Sequence, residues 1–352
     1  MDTVDVEFQQ RLRLNPAHEL TWGAGWRRIS DTTRGSLTIA FDPANSRRDV
    51  INAFVQDEVM LGQGLRLTLG SKFEHNETTG LEVQPSARLH WQALPGHAFW
   101  AAISKAVETP SRATLDAQIH ASVVPAGTPP TPLLPFTLPV PLLLGLYGNP
   151  DLVAQSLVAS ELGYRGLFGQ NLSVDLTVFH HDYDHLVSAE MGTAQFGFPY
   201  SVYAARFDNQ LRGHAYGVEL ASTWQVAPSW RLSGSLSTLR MKSSPYPGGT
   251  GFSAFGSSGA SPAWMAQLHA QHQLARNLEF DAHLYRNAAL AEMNIPAYTR
   301  LDLRLGWRVR PGLELSLTGQ NLLQRRHPEF VSADSTASDI PRSWLLQSTW
   351  KF

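Results

Sequence analysis

Five residues within one short stretch, His180, His181, Asp182, Asp184 and His185, carry the side-chain types that hold divalent metals. In an extended segment they split between opposite faces, so few of them converge on one point, and a strand with polar rim residues accounts for them. A second group is Gln267, His269 and Gln271 beside Glu279, Asp281 and His283, where a tight turn near Arg276 brings His269 and His283 together across a hairpin. Asp302, Arg304 and Arg308 extend the same polar face, which is how the wall of a water-filled lumen reads. No metal site and no cofactor is expected from either group. The chain also lacks a Gly-rich phosphate loop after a strand, a nucleophile elbow and paired helical histidines, so it is not expected to be an enzyme.

The elements that must position these side chains follow a period of two. From Leu301 to Arg310, Leu301, Leu303, Leu305, Trp307 and Val309 alternate with Asp302, Arg304, Gly306, Arg308 and Arg310. Such a strand meets oil on one face and water on the other. The pattern recurs at Val6, Phe8, Leu12 and Leu14, at Leu65, Leu67 and Leu69, at Leu172, Val174, Leu176 and Val178, at Tyr216, Val218 and Leu220, and at Leu313, Leu315 and Leu317. Nothing comparable supports a long amphipathic helix. The most apolar run, Leu133 to Tyr147, contains Pro135, Pro139 and Pro141, each of which removes a backbone donor, so a helical span is excluded.

Counting the alternating segments gives about fifteen strands, many of about ten residues or more, the length of a tilted bilayer crossing. The connections fall into two classes. Asn15-Pro16-Ala17, Leu94-Pro95-Gly96, Ala227-Pro228, Ala275-Arg276 and Arg310-Pro311 mark tight turns. Segments 30–49, 108–154, 188–201, 242–262 and 324–340 are long, with 76–79 and 289–297 shorter. Short turns on one rim and long loops on the other are the asymmetry of an outer-membrane barrel. The ten Trp residues, at 22, 26, 91, 100, 224, 230, 264, 307, 344 and 350, all fit in or at the ends of strands, where a barrel places its aromatic girdles.

Composition agrees. With 43% hydrophobic and 16% charged residues the chain is a folded one, and a formal charge of -2 gives no drive toward nucleic acid. The absence of Cys excludes a disulfide scaffold, a thiolate zinc site and a cysteine nucleophile. Among the long loops, 242–262 offers Tyr246, Phe252 and Phe255 among Gly and Ser as candidate ligand-stacking residues, and the Pro-rich loop 108–154 is expected to be semi-rigid.

Several ordered segments resemble the C-terminal part of the barrel of TonB-dependent outer-membrane receptors. Trp100 to Arg112 is similar to a strand running into a large external loop, although Glu108 stands where Arg is common. Gly148-Asn149-Pro150-Asp151-Leu152 with Glu161-Leu162-Gly163-Tyr164-Arg165 resembles the re-entry into the wall, Phe179 to Leu186 the outgoing strand, and Tyr216-Gly217-Val218-Glu219-Leu220 the return. Gly319-Gln320-Asn321-Leu322-Leu323, His327-Pro328-Glu329-Phe330 and Ile340-Pro341-Arg342-Ser343 resemble the penultimate strand, last loop and final strand.

The resemblance implies an all-β fold, a transmembrane antiparallel up-and-down β-barrel in the outer membrane of a Gram-negative bacterium. Residues 1–352 form a single barrel domain in this reading, incomplete at about 15–16 of roughly 22 strands and without the plug domain. Met1 then starts on the outer side, and with no export signal present the chain reads as truncated. The implied function is energy-coupled uptake of a scarce nutrient complex, above all a ferric siderophore. The implied partners are outer-membrane lipid, the barrel assembly machinery, the TonB complex through the plug, and an extracellular small-molecule ligand such as a metal chelate. Phe352 is the expected assembly signal. The alternatives are a complete passive porin of about sixteen strands, or a soluble β-rich binding protein.

Overall fold

A computed structural model describes residues 1–130, 137–250, 258–330 and 338–352. The candidate residues Phe252 and Phe255 lie outside the described residues. Fifteen strands build one antiparallel meander: β1 (Asp2–Asn15), β2 (His18–Thr32), β4 (Asn45–Gly62), β5 (Leu65–Asn76), β6 (Gly80–Leu94), β7 (His97–Glu108), β10 (Gln155–Phe168), β11 (Leu172–Gln195), β12 (Ser201–Ala227), β13 (Trp230–Pro245), β14 (Trp264–Ala275), β15 (Leu278–Asn287), β16 (Tyr298–Arg310), β17 (Leu313–Gln320) and β20 (Ser343–Trp350). Each pairs with the strand before and after it in this order, from β1 on β2 to β17 on β20. Five short strands lie between them: β3 (Ile39–Phe41), β8 (Ala117–Val124), β9 (Leu142–Tyr147), β18 (Arg326–Phe330) and β19 (Ser338–Pro341).

The alternation reads directly onto two faces. On β16 Leu305 is 43% exposed and Trp307 47%, whereas Asp302 is 9% exposed. The same face carries Phe8, Leu69, Leu89, Leu162, Val178, Leu236, Leu284 and Leu317, all exposed. A sheet that leaves its leucines outside and shelters its carboxylates is built for a solvent more apolar than water. Seven of the ten Trp are exposed on that face: Trp22, Trp91, Trp224, Trp230, Trp307, Trp344 and Trp350. Trp100 departs from the girdle expectation. It sits on an even position beside the outward Phe99 and turns inward, with Arg88 at 5.8 Å from its ring and Gly163 opposite it in register. A Cβ on Gly163 would meet the indole at 2.1 Å, so only glycine leaves room for the ring there.

Turn chemistry fixes the short-turn rim. Asn15 accepts the amides of Ala17 and His18 through its Oδ1 at 2.8 and 3.0 Å, while Gly64, Gly96, Gly169 and Gly312 take positive φ.

The other rim is elaborated. β11 and β12 run for 24 and 27 residues, far beyond the roughly ten that cross a bilayer. Their distal halves stay paired, Ala189 with Phe207 and Gln195 with Val202. The expected loop 188–201 is therefore mostly strand. β9 adds to β12 in parallel, β8 pairs with β9, and β3 pairs with β8, so strands of the long loops extend the wall sheet from β12. A cluster of buried apolar residues lies here too: Leu115, Leu152, Val187 and Phe207, with Leu146 against them.

Candidate functional site

Most of the buried apolar side chains among the described residues lie in the loop assembly, and a short helix joins it. In α1 (Arg112–Asp116) the side chain of Ser111 caps the helix by accepting the Thr114 amide, and Leu115 points into the apolar cluster. Arg112 leaves the helix toward Asp31, lies over the ring of Phe41 at 4.9 Å, and approaches Asp116 at 3.6 Å. Arg48 closes the group with a 2.9 Å bond to Asp116. Two cations and two carboxylates, each no more than a quarter exposed, thus tie the adjoining ends of β2 and β4 to the segment after β7. Breaking one partner of such a group leaves the others charged and poorly solvated.

A second tether holds the loop after β13. Tyr246 donates to Asp184, lies 5.9 Å from the ring of His185, and has Arg212 at 5.6 Å over its face. The hydrogen bond to Asp184, then desolvation and the charge of Asp184, push the Tyr246 phenol above its ordinary range. Four residues on, the Thr250 amide donates to Glu190 at 2.7 Å. Burial works to raise Glu190, but hydrogen bonds from Ser188 and Thr250 outweigh it and hold the carboxyl below its ordinary range. Tyr246 therefore joins loop to wall, and its ring stays partly open to solvent.

Beneath the loops, the inward face of β14 to β17 is a polar ladder. His269 and His283 stack with ring centroids 3.6 Å apart, the contact expected across that hairpin. Arg304 binds Asp281 at 3.0 Å and also Glu314, and Arg308 approaches Glu279 at 3.5 Å. At the top of the ladder Arg300 chelates Asp302, whose Oδ1 accepts the Asn321 amide at 2.9 Å. Asn321 is fully buried; its Nδ2 donates to the Ile340 carbonyl at 2.9 Å and its Oδ1 faces Nδ1 of His327 at 3.2 Å. His327 stacks on Tyr298 at 4.2 Å and reaches Glu329 at 2.9 Å. This latch anchors both ends of the last long loop.

The cluster from His180 to His185 divides as alternation requires. His180 lies 3.3 Å from Asp182 on the outward face, whereas His181 turns inward to Glu161 at 3.6 Å. Among the described residues no three metal-binding side chains converge. Phe352 lies two residues past the end of β20 and is fully exposed.

An all-β meander with lipid-type outer positions, a polar inner ladder and strand-built loops matches one family over nearly its whole length. The family model of TonB dependent receptor-like β-barrels covers residues 2–322. The chain belongs to this family. Its strands therefore lie in the outer membrane of a Gram-negative bacterium, with the loop assembly on the extracellular side. Among solved structures, the siderophore receptor PirA from Acinetobacter baumannii superposes with a TM-score of 0.74 at 14% identity, over 99% of this chain and 55% of that one. A variant of the ferric enterobactin receptor PfeA from Pseudomonas aeruginosa, solved in complex with enterobactin, gives 0.70 at 18% identity, over 98% and 53%. An iron-regulated outer membrane virulence protein of Vibrio cholerae is 24% identical over 193 residues, 52% of this chain and 26% of that protein. The chain spans about half the length of these solved receptors and a quarter of the curated relative.

The Arg112 group, the Asn321 latch and the inward Trp100 are the features that residue types alone did not single out. Ser111 three residues before Thr114 was a readable cap signal for the first. The other two depend on partners far along the chain.

Proposed function

We propose that this chain is the C-terminal portion of the barrel of a receptor for energy-coupled uptake of a scarce nutrient complex, with a ferric siderophore as the cargo class. The single barrel domain spans residues 1–352, the plug lies outside it, and energy reaches the receptor from the TonB complex through that plug. The observation that carries this reading is the direction of the two free edges. Among the described residues β1 pairs only with β2 and β20 only with β17. In a meander of fifteen strands the first and last run the same way, so antiparallel closure calls for an odd number of further strands. A complete sixteen-stranded porin has no such requirement. The solved relatives named for siderophores and ferric enterobactin, and the iron-regulated relative, favour iron chelates as cargo.

Cargo is met by the extracellular assembly. Tyr246 presents a partly open ring above the wall, and Phe252 and Phe255 belong to the same loop. Phe352 supplies the terminal aromatic that the barrel assembly machinery reads. The test is growth of an iron-starved strain carrying the gene, with ferric chelates offered singly as the iron source. Loss of growth on one chelate upon deletion supports the reading. Steady ion conductance from the purified chain, with unaltered chelate use, overturns it in favour of the porin.

A further inference from the structure

His327 is only 4% exposed, and both of its ring nitrogens face an oxygen. Nδ1 lies 3.2 Å from Oδ1 of Asn321, and Nε2 lies 2.9 Å from Oε1 of Glu329. The Asn321 amide is oriented from its other side, because its Nδ2 donates to the Ile340 carbonyl at 2.9 Å. Turning the amide over would set oxygen against oxygen there. Oδ1 of Asn321 is therefore an acceptor, and Nδ1 of His327 carries a proton. The Glu329 carboxylate has no proton to give, so Nε2 carries one as well. A neutral imidazole has a single N–H. Whichever nitrogen held it, the other would press a lone pair against an oxygen in a buried site, where an unmade hydrogen bond is costly.

The charges around the ring agree. β16 supplies Tyr298, whose ring stacks on His327 at 4.2 Å, and Arg300 and Asp302, joined to each other at 2.6 Å. Glu329, on β18 with His327, lies 3.9 Å from Arg300. β19 supplies Ile340, opposite His327 in register, and Asp339, which is engaged with Arg326 at 3.2 Å. An imidazolium at His327 joins Arg300 in balancing Asp302 and Glu329. A neutral ring would leave one carboxylate in surplus at the base of the β18–β19 pair. One proton thus completes both the hydrogen bonds and the charge balance of the latch.

We propose that His327 is a proton switch on the extracellular side, fastening β18 and β19 to β16 and the end of β17 while it is an imidazolium and releasing them as rising pH removes its proton. The chemistry of the partner predicts a reversal. In Glu329→Gln the new amide N–H donates to Nε2 of a neutral ring whose Nδ1–H still serves Asn321, so the latch is complete without the extra proton. The switch uses the chain's place in the outer membrane only to set its side, and it is independent of the cargo.

The test is electron paramagnetic resonance of the full chain in lipid vesicles, with a nitroxide on the single cysteine of Phe330→Cys, an exposed position on β18. Between about pH 5.5 and about pH 8.5, the span over which an imidazole changes charge, the ratio of mobile to immobile label should rise about tenfold, the scale of one buried hydrogen bond lost. His327→Gln in the same background should remove the pH dependence, and Glu329→Gln should keep the label immobile at the alkaline end. An unchanged ratio with His327 and Glu329 in place overturns the proposal. So does the same rise in His327→Gln, which would assign the effect to another group, or in Glu329→Gln. A readout without variants at the latch is the nitrogen-15 spectrum of His327: wherever the label is immobile both ring nitrogens should be protonated, and one bare nitrogen there also overturns the proposal.

Discussion

Asn321→Ala should unfasten the last extracellular loop without unfolding the wall. The side chain is completely buried and serves two partners, the Ile340 carbonyl at 2.9 Å and the His327 ring at 3.2 Å. Its backbone is also in the left-handed region, with φ of 53°. Each buried group left without its hydrogen bond costs about 1–3 kcal/mol, and alanine in that conformation costs about 1 kcal/mol more. The local opening free energy of the latch should therefore fall by about 3–7 kcal/mol. The amides to watch are Leu322, bonded to the Leu301 carbonyl at 2.9 Å, and Arg342, bonded to that of Arg325 at 2.8 Å. Hydrogen exchange at both should accelerate by a hundredfold or more, on the basis that about 1.4 kcal/mol is a factor of ten, while amides in the middle of β16 stay protected. Asn321→Gly relieves the backbone conformation and should recover about 1 kcal/mol of the loss. Unchanged exchange at Arg342 in the alanine variant would refute the role given to this side chain.

Other consequences follow from neighbouring sites. Arg112→Ala leaves Asp31 and Asp116 without their shared cation and should weaken the loop assembly by about 3 kcal/mol, seen as faster proteolysis within residues 33–44. Gly163→Val should destabilise the wall by about 1–3 kcal/mol through overpacking against Trp100; the denaturant midpoint falls, and adding Trp100→Ala should partly restore it. The tether from Glu190 to Thr250 has a defined pH sign. Its carboxyl is held below the ordinary range, so its contribution is complete above the unfolded carboxylate range and is lost as pH falls through the lower folded value. Exchange of the Thr250 amide should rise on acidification below that range, and Glu190→Gln should abolish this dependence.

How much of this the residues disclose by themselves depends on the solvent each part meets. In the wall, one face in oil and one in water impose a strict period of two, so Leu301 to Arg310 and Leu313 to Leu317 declare their faces, and the meander has the fifteen strands that alternation indicates. The same rule separates His180 from His181 and joins His269 to His283. Outside the bilayer the rule lapses. Ser201 to Leu211 is strand, yet Phe207 and Leu211 are buried against other loops and Arg206 reaches the Gly148 carbonyl, so polarity no longer follows the pleat. β9 lies in a Pro-rich segment that reads as an irregular loop, and its strand character comes from parallel pairing with β12. Trp100 eluded a reading based on residue type because tryptophan suits a girdle, and its true direction is set by parity with Phe99 and by the space above Gly163. The Asn321 latch joins Asp302, His327 and Ile340, which no local pattern connects.

The central claim is that the exposed apolar face meets hydrocarbon and the charged face meets water. Because the chain has no Cys, single cysteines can be placed at Leu305 and at Arg304, adjacent on β16 and on opposite faces, and labelled with a fluorophore in the reconstituted protein. Quenching by a lipid carrying its quencher at mid-chain depth should be strong at position 305 and weak at 304, with the reverse order for a water-soluble quencher. If position 305 is shielded from both quenchers, as between two stacked sheets of a soluble protein, the membrane-spanning account is wrong.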